Sequence, residues 1–283
     1  MNNVLIIGAD SFIGSSLINY LIKIPEFNVL GTSRKLGSKY FYLDLTNDEK
    51  TWPKLDKLDS IVICAGITNI EQCQKNESLS EAINVIGLKK IISNYKSKKT
   101  KVIFFSTNHV FNGKKSFVQE SDKTEPINIY GIHKALSEQI ILENNGVILR
   151  LSKVIGPNFK LFEDWILRLK KGKKIIAYNN LHVSFVPLNS LVNTLSVVIK
   201  NECNGIIHLS GSENMAYDEI AKIFAYKLNV SNKLIISSRG VSDIPGVFDI
   251  KTSLKISKLI TDHNIHLPNN KKIIDDFLVN KNL

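Results

Sequence analysis

The sequence predicts an α/β chain built on a doubly wound parallel sheet, with a smaller α/β lobe toward its carboxyl end. Three observations carry that expectation. Short, continuously apolar runs alternate with stretches of helical period through the first half of the chain; a glycine turn joins the first run to the first helix; and beyond about residue 155 the alternation loosens. Strands apolar on both faces belong to parallel sheets, because crossover helices cover each side.

The strand candidates, in order, are "NVLIIG", "FNVLGTS", "KYFYLD", "SIVICAG", "KVIFFST" and "GVILRLS". Between them, residues 13–23 place Leu17 and Leu21 on one helical side. Residues 79–95 carry Ala82, Ile86 and Tyr95 at near-helical spacing, and residues 127–142, "INIYGIHKALSEQIIL", read as an amphipathic helix. Past residue 155, Phe162, Trp165, Ile166 and Leu169 form one helical face. Leu191, Leu195 and Val198 form another, and Ile220, Ile223, Phe224 and Leu228 a third, with short strands such as "GIIHLS" between. The expected division is a first domain over residues 1–155, with 180–203 returning to it, and a substrate-binding lobe from 156–179 and 204–283. No repeat, low-complexity tract or flexible linker intervenes, so the lobes are expected to share a tight interface with a cleft.

Composition narrows the function classes. A chain of 283 residues with 43% hydrophobic content suits a folded core and argues against disorder. No apolar run approaches the roughly 20 residues that cross a bilayer, and the start, "MNNVLIIGADSFIG", lacks a basic leader and a cleavage site. No membrane partner and a cytoplasmic location are expected. Cys64, Cys73 and Cys203 are too scattered for a disulfide framework or zinc cluster and read as buried free thiols. His263 and His266 lack supporting ligands, so no metal is expected. The net charge of +11 raises the question of nucleic acid, but the excess is nearly all lysine. "KSKKTK" and "RLKKGKK" lack interleaved aromatics and read as solvated faces. No nucleic-acid partner is expected; part of the charge is free to steer an anionic small molecule.

"VLIIGADSFIGSSL" sets Gly8 directly after a strand and Gly14 at the opening of a helix. A dinucleotide pyrophosphate is held at such a junction, where glycine permits close backbone approach and the helix N-terminus offers free N–H groups. Ser11 stands where the middle glycine is usual. At the end of the second strand, an acidic residue would grip a ribose 2′-hydroxyl; "LGTSRK" offers Thr32, Ser33 and Arg34, which suit a 2′-phosphate. The expected cofactor is NADP(H), the alternative being that Arg34 is an exposed loop cation.

Tyr130 and Lys134, four apart, share one helical face. They follow the strand "VIFFST", whose end carries Thr107 and should open over a bound dinucleotide. A hydroxyl, a phenol and an ammonium beside a nicotinamide make a carbonyl-reducing site. Thr107 would hydrogen-bond the ketone oxygen, Tyr130 would give it a proton, and Lys134 would favour the resulting phenolate.

These motifs together resemble the extended short-chain dehydrogenase/reductases, and within them the dTDP-4-dehydrorhamnose reductase-like group of nucleotide-sugar reductases. The resemblance runs nearly end to end. It rests on the glycine loop, "AGIT" at 65–68, "INVIG" at 83–87, "FSTNHVFNG" at 105–113, "EPINIYGIHK" at 125–134 and "LRLSKVIGP" at 149–157. It implies a Rossmann-type sheet and NADPH-dependent reduction of the 4-keto group of a nucleoside-diphosphate 4-keto-6-deoxysugar. A homodimer is left open. Catalytic roles would fall on Thr107, Tyr130 and Lys134, of which the last two also border the cofactor. Gly8, Ser11, Phe12, Ile13, Gly14, Ser33, Arg34, Asp44, Leu45, Ala65 and Gly66 would line the cofactor. Candidate substrate residues are Thr68, Asn108, His109, Lys153, Val154, His182 and Ser184. Two departures stand out: Asn108 and His109 replace the group's Asp-Tyr pair, and Lys153 replaces a tryptophan. His109 would then be either an added proton donor or a space-filling ring. Two rival readings remain, an epimerase or dehydratase that retains NAD and a cofactor-binding regulatory subunit. Asn108 and His109 supply no Asp-Glu pair for the first, and an intact Thr107, Tyr130 and Lys134 speak against the second.

Overall fold

The computed structural model describes residues 1–240, 250–256, 261 and 264–281. The chain opens with β1 (Asn2–Ile7), α1 (Phe12–Leu21), β2 (Phe27–Ser33), β3 (Phe41–Tyr42) and β4 (Ser60–Ile63). Val4 to Ile7 are fully buried, as are Ile61 and Val62. Consecutive side chains of a strand point to opposite faces, so both faces of β1 are covered. The chain continues through α2 (Ile70–Lys75), α3 (Glu77–Glu81), a π-helical turn (Ala82–Ile86) and α4 (Gly87–Tyr95). Next come β5 (Lys101–Thr107), a 3-10 turn (Asn108–Val110), α5 (Ile129–Glu143) and β6 (Val147–Leu151).

The remainder comprises β7 (Lys153–Ile155), α6 (Lys160–Lys170), β8 (Ile175–Tyr178), β9 (Leu181–Val183), β10 (Phe185–Pro187) and α7 (Leu188–Lys200). β11 (Gly205–Leu209), β12 (Met215–Ala216), α8 (Tyr217–Lys227), β13 (Ile235–Ser238), β14 (Ile250–Lys251) and α9 (Asn270–Val279) follow. The main sheet has seven strands in the order β11-β6-β5-β4-β1-β2-β3. The β1–β2, β1–β4, β2–β3 and β4–β5 pairs are all parallel. The chain builds outward from β1 in one direction and then from β4 in the other. The sheet is thus the doubly wound, Rossmann-type one expected, and its switch point opens beyond the carboxyl ends of β1 and β4.

The chain divides into two compact units. The first comprises Met1–Phe111, Lys123–Arg150 and Val192–Ile207; the second comprises Asn112–Asp122, Leu151–Leu191 and His208–Leu283. In the first, Leu5, Ile7, Ile61, Ile63, Ile91 and Phe104 belong to one core cluster. In the second, the fully buried Phe162 packs its ring against Phe224, Phe159, Phe277 and Phe185, with centroids 4.6, 4.9, 5.3 and 5.4 Å away. Trp165, Ile166 and Leu169 are buried beside it, the α6 face that the sequence shows.

Residues 79–95 differ from expectation. They are not one regular helix with Ala82, Ile86 and Tyr95 on its inner side. The π-helical turn adds a residue to one winding and rotates the register, so Asn84 and Val85 turn inward and Ile86 is left 46% exposed. Of the three thiols, Cys73 is buried, whereas Cys64 and Cys203 are half-buried; none is in a disulfide. His263 lies outside the described residues, and His266 bonds to Asn264.

Candidate active site

The glycine loop is shaped by two close approaches. Gly8 has φ +83°, and a Cβ there would lie 2.8 Å from the Ala65 nitrogen; a Cβ on Gly14 would lie 2.2 Å from the Gly8 carbonyl oxygen. Neither position has room for a side chain. Ser11, by contrast, has φ −71° and caps α1, its Oγ accepting from the Gly14 N–H at 3.1 Å. A middle glycine is dispensable here because the backbone at this residue is extended. The opening N–H groups of α1, on Phe12 and Ile13, have no acceptor within the helix. The loop is fastened to β2: Ala9 N–H donates to the Thr32 carbonyl at 2.8 Å, and Gly8 N–H donates to the Thr32 hydroxyl.

Beyond these strand ends lies a cavity of ≈ 400 Å³. Of the expected cofactor residues, Gly8, Ser11, Ser33, Arg34, Asp44, Leu45, Ala65 and Gly66 line it, whereas Phe12, Ile13, Gly14, Tyr130 and Lys134 do not. Thr68, expected on the substrate side, lines it as well. Arg34 is exposed at its rim, while Thr32 and Ser33 are buried, Ser33 accepting from the Lys35 N–H. Among the lining residues missed in the sequence are two charged ones, Asp10 and Lys35. They form an ion pair of 3.2 Å. Burial pushes the Asp10 carboxyl up, and hydrogen bonds from Lys35 and Ser33 outweigh it, holding the group below its ordinary range. Arg34 and Lys35 are the cations of the lining and Asp10 and Asp44 its carboxylates, Lys35 being paired with Asp10. The cavity, the exposed Arg34 cation beside it and the helix N-terminus together suit an extended dinucleotide.

Asn84, turned inward by the π-helical turn, secures the next wall. Its side chain accepts from the Ile67 N–H at 2.8 Å and donates to the Ile67 carbonyl at 3.0 Å, and its backbone carbonyl takes the Ser137 hydroxyl. "INVIG" contained this residue, but near-helical spacing gave no reason to turn it inward.

Helix α5 brings the expected trio together. Its N-cap, Asn128, accepts from the Gly131 N–H at 2.8 Å, satisfying one opening donor. Gly131 lets the 3-10 turn press against the helix, since a Cβ there would lie 2.1 Å from the His109 carbonyl oxygen. Tyr130 is buried beside Ile67 and Cys73, and its hydroxyl hydrogen-bonds to Thr107 at the end of β5. Burial raises the phenol to about 12, with the Thr107 bond acting the other way. Lys134 donates to the Phe105 carbonyl at 2.8 Å and lies 4.3 Å above the Phe104 ring. Burial lowers its ammonium to about 8, against the field of Glu138. The His109 ring meets Tyr130 edge-on at 5.9 Å. Asn108 adjoins it on the turn.

The remaining expected substrate residues belong to the second unit. Lys153 and Val154 lie on β7, with the Lys153 ammonium 5.7 Å from the Phe159 ring centre. His182 is half-buried on β9, its Nδ1 buried and without a partner among the described residues. Ser184 is fully buried, its hydroxyl donating to the Gly211 carbonyl.

A doubly wound sheet with a glycine loop, a switch-point cavity and a buried Tyr–Lys helix face defines a dinucleotide-fold α/β protein. Comparison with known proteins takes this further. Residues 1–260 match the RmlD substrate binding domain, and the chain belongs to that family. Among curated relatives, dTDP-4-dehydrorhamnose reductase of Aggregatibacter actinomycetemcomitans is 29% identical over 182 residues, 62% of this chain and 60% of the relative. The chain thus spans about three fifths of that relative's length. Among solved structures, the Bacillus anthracis dTDP-4-dehydrorhamnose reductase in complex with NADP superposes with TM-score 0.81. It is 24% identical and covers 99% of this chain and 98% of its own. The Yersinia enterocolitica dTDP-4-dehydrorhamnose reductase gives 0.80 at 21% identity, with 99% of both chains covered. These likenesses establish the Rossmann-type fold.

Proposed function

We propose that the protein is an NADPH-dependent oxidoreductase that reduces the 4-keto group of a nucleoside-diphosphate 4-keto-6-deoxysugar, in activated deoxysugar biosynthesis. The single observation that carries the reading is the buried Tyr130 phenol, hydrogen-bonded to Thr107 and one helical turn from the Lys134 ammonium. Relatives named dTDP-4-dehydrorhamnose reductase, from Aggregatibacter actinomycetemcomitans and Salmonella typhimurium among others, support the substrate class.

Gly8, Ser11 and the opening N–H groups of α1 would hold the pyrophosphate, while Arg34 and Lys35 would meet the 2′-phosphate. Bound NADPH supplies hydride to the carbonyl carbon. Thr107 donates a hydrogen bond to the ketone oxygen and orients it. Tyr130, pushed up to about 12 by burial, is a neutral phenol at pH 7, the state a proton donor needs, and passes its proton to the oxygen as negative charge develops there. Lys134, still charged at pH 7, stabilises the phenolate left behind, which solvent then reprotonates. Thr68, Asn108, His109, Lys153, Val154 and His182 are proposed to serve the sugar nucleotide, with Ser184 supporting them from the core. This reading places the protein in the cytoplasm with its cofactor and activated sugar; it calls for no nucleic-acid partner and is compatible with a homodimer.

The test follows NADPH oxidation at the nicotinamide absorbance with a panel of nucleoside-diphosphate 4-keto-6-deoxysugars. Turnover with at least one is expected, and Tyr130→Phe should lower kcat by about 10²–10⁴ with NADPH binding retained. Tight NADPH binding without turnover on any sugar would instead mark a binding-only protein.

A further inference from the structure

Beside Tyr130 and Lys134 lies a buried charge pair that takes no part in the proposed proton transfer. Glu138 sits one helical turn beyond Lys134 on α5, and Arg150 sits on β6; they are 3% and 2% exposed. The pairing is bidentate, Arg150 Nε to Glu138 Oε1 at 2.9 Å and Nη2 to Oε2 at 2.7 Å. Ser106, the residue before Thr107 on β5, donates to the same Oε1. Phe111, just past the turn that carries Asn108 and His109, lays its ring 5.0 Å from the Arg150 guanidinium carbon. One carboxylate therefore ties α5, β5 and β6 together one helical turn from Lys134. Buried ion pairs add little net stability over apolar pairs of similar volume, so stability alone does not account for this one.

We propose that Glu138, fixed by Arg150 and Ser106, is a positioning residue for the reduction: its negative charge keeps the neighbouring Lys134 cationic and oriented one turn from Tyr130. The inference rests on the proposed function, in which Lys134 acts as a cation. Burial is the main influence pulling the Lys134 proton off, and Glu138 is the largest influence holding it on. Other groups facing Lys134 are the thiols of Cys64, past the end of β4, and Cys73 on α2. His109 on the 3-10 turn faces Tyr130, His133 on α5 is engaged by Ser80, and Arg150 on β6 is held in the bidentate pair.

The experiment compares wild type, Glu138→Gln, Ser106→Ala and the paired Glu138→Leu/Arg150→Met. The paired variant leaves no Arg150 guanidinium buried without its carboxylate and so serves as the test if Glu138→Gln does not fold. Lys134 is titrated in the ligand-free protein by NMR of ε-¹³C-labelled lysine, and the pH profile of kcat/KM for keto-sugar reduction is recorded alongside. In Glu138→Gln the Lys134 titration is expected to fall by about one unit, in the paired variant, which also loses the opposing field of Arg150, by less, and the alkaline limit of kcat/KM to move down with it. Ser106→Ala should produce a smaller shift in the same direction. An unmoved Lys134 titration in the folded paired variant overturns the assignment. A moved titration with an unmoved pH profile also overturns it, and locates the failure in the proposed role of Lys134 rather than in the field of Glu138.

Discussion

Tyr130 and Lys134 are displaced by burial in opposite senses, the phenol up to about 12 and the ammonium down to about 8, so at pH 7 both carry their protons. That is the state a carbonyl reductase needs before hydride arrives. The proton-loaded state ends first at Lys134, so kcat/KM for reduction is expected to fall as pH rises through about 8, read from initial rates across pH 6–10. The same displacement is a stability statement. A lysine with a folded value below its unfolded 10.5 leaves the unfolded chain holding more protons between those values, so stability rises with pH from about 8 to 10.5. Below that window the full cost of burying the charge is present. Lys134→Met removes this cost together with the bond to the Phe105 carbonyl. Its stability relative to wild type, measured by urea unfolding, should therefore decline steadily as pH is raised across the window. A flat difference would mean that the ammonium is not desolvated.

At the scale of elements, the N-terminus of α5 and the turn before it set the distance between Thr107 and Tyr130, and two substitutions there should part company. Asn128→Ala removes a cap and is expected to cost about 1 kcal/mol of stability, seen as a lower denaturation midpoint, with kcat largely kept. Gly131→Ala puts a methyl where the His109 carbonyl already lies, so the turn must move. It should lower kcat for keto-sugar reduction while leaving the dissociation constant for NADPH, set by β1, β2 and β4, nearly unchanged. The glycine loop and the Tyr–Lys face were legible in the sequence because each is a local pattern, a strand running into a helix or a four-residue spacing. The inward turn of Asn84 was not, since a π-helical turn changes the register without changing the composition, and Ala82 and Ile86 imitate an α-helical stripe. Asp10–Lys35 and Glu138–Arg150 escaped for a related reason. Their partners lie 25 and 12 residues apart, and only the closing of the sheet brings them together.

Over the whole molecule the charge of +11 acts on whatever anion approaches, while Arg34 and Lys35 act on one that has arrived. The two effects separate by salt and by ligand. Long-range attraction is screened over about 8 Å at physiological ionic strength, so the association rate for NADPH, followed by stopped-flow quenching of protein fluorescence, should fall as salt is raised. Discrimination at the rim is a difference between two ligands that share every group except the 2′-phosphate. A ligand that binds only the folded chain stabilises it by about 2.7 kcal/mol at one hundred times its dissociation constant. At equal concentration NADPH should therefore raise the melting temperature more than NADH. Arg34→Ala/Lys35→Ala should remove most of that difference by weakening NADPH alone, because NADH presents no phosphate to either cation. If the double variant weakens both dinucleotides equally, the two cations serve only the general field, and the 2′-phosphate must be read elsewhere along the wall.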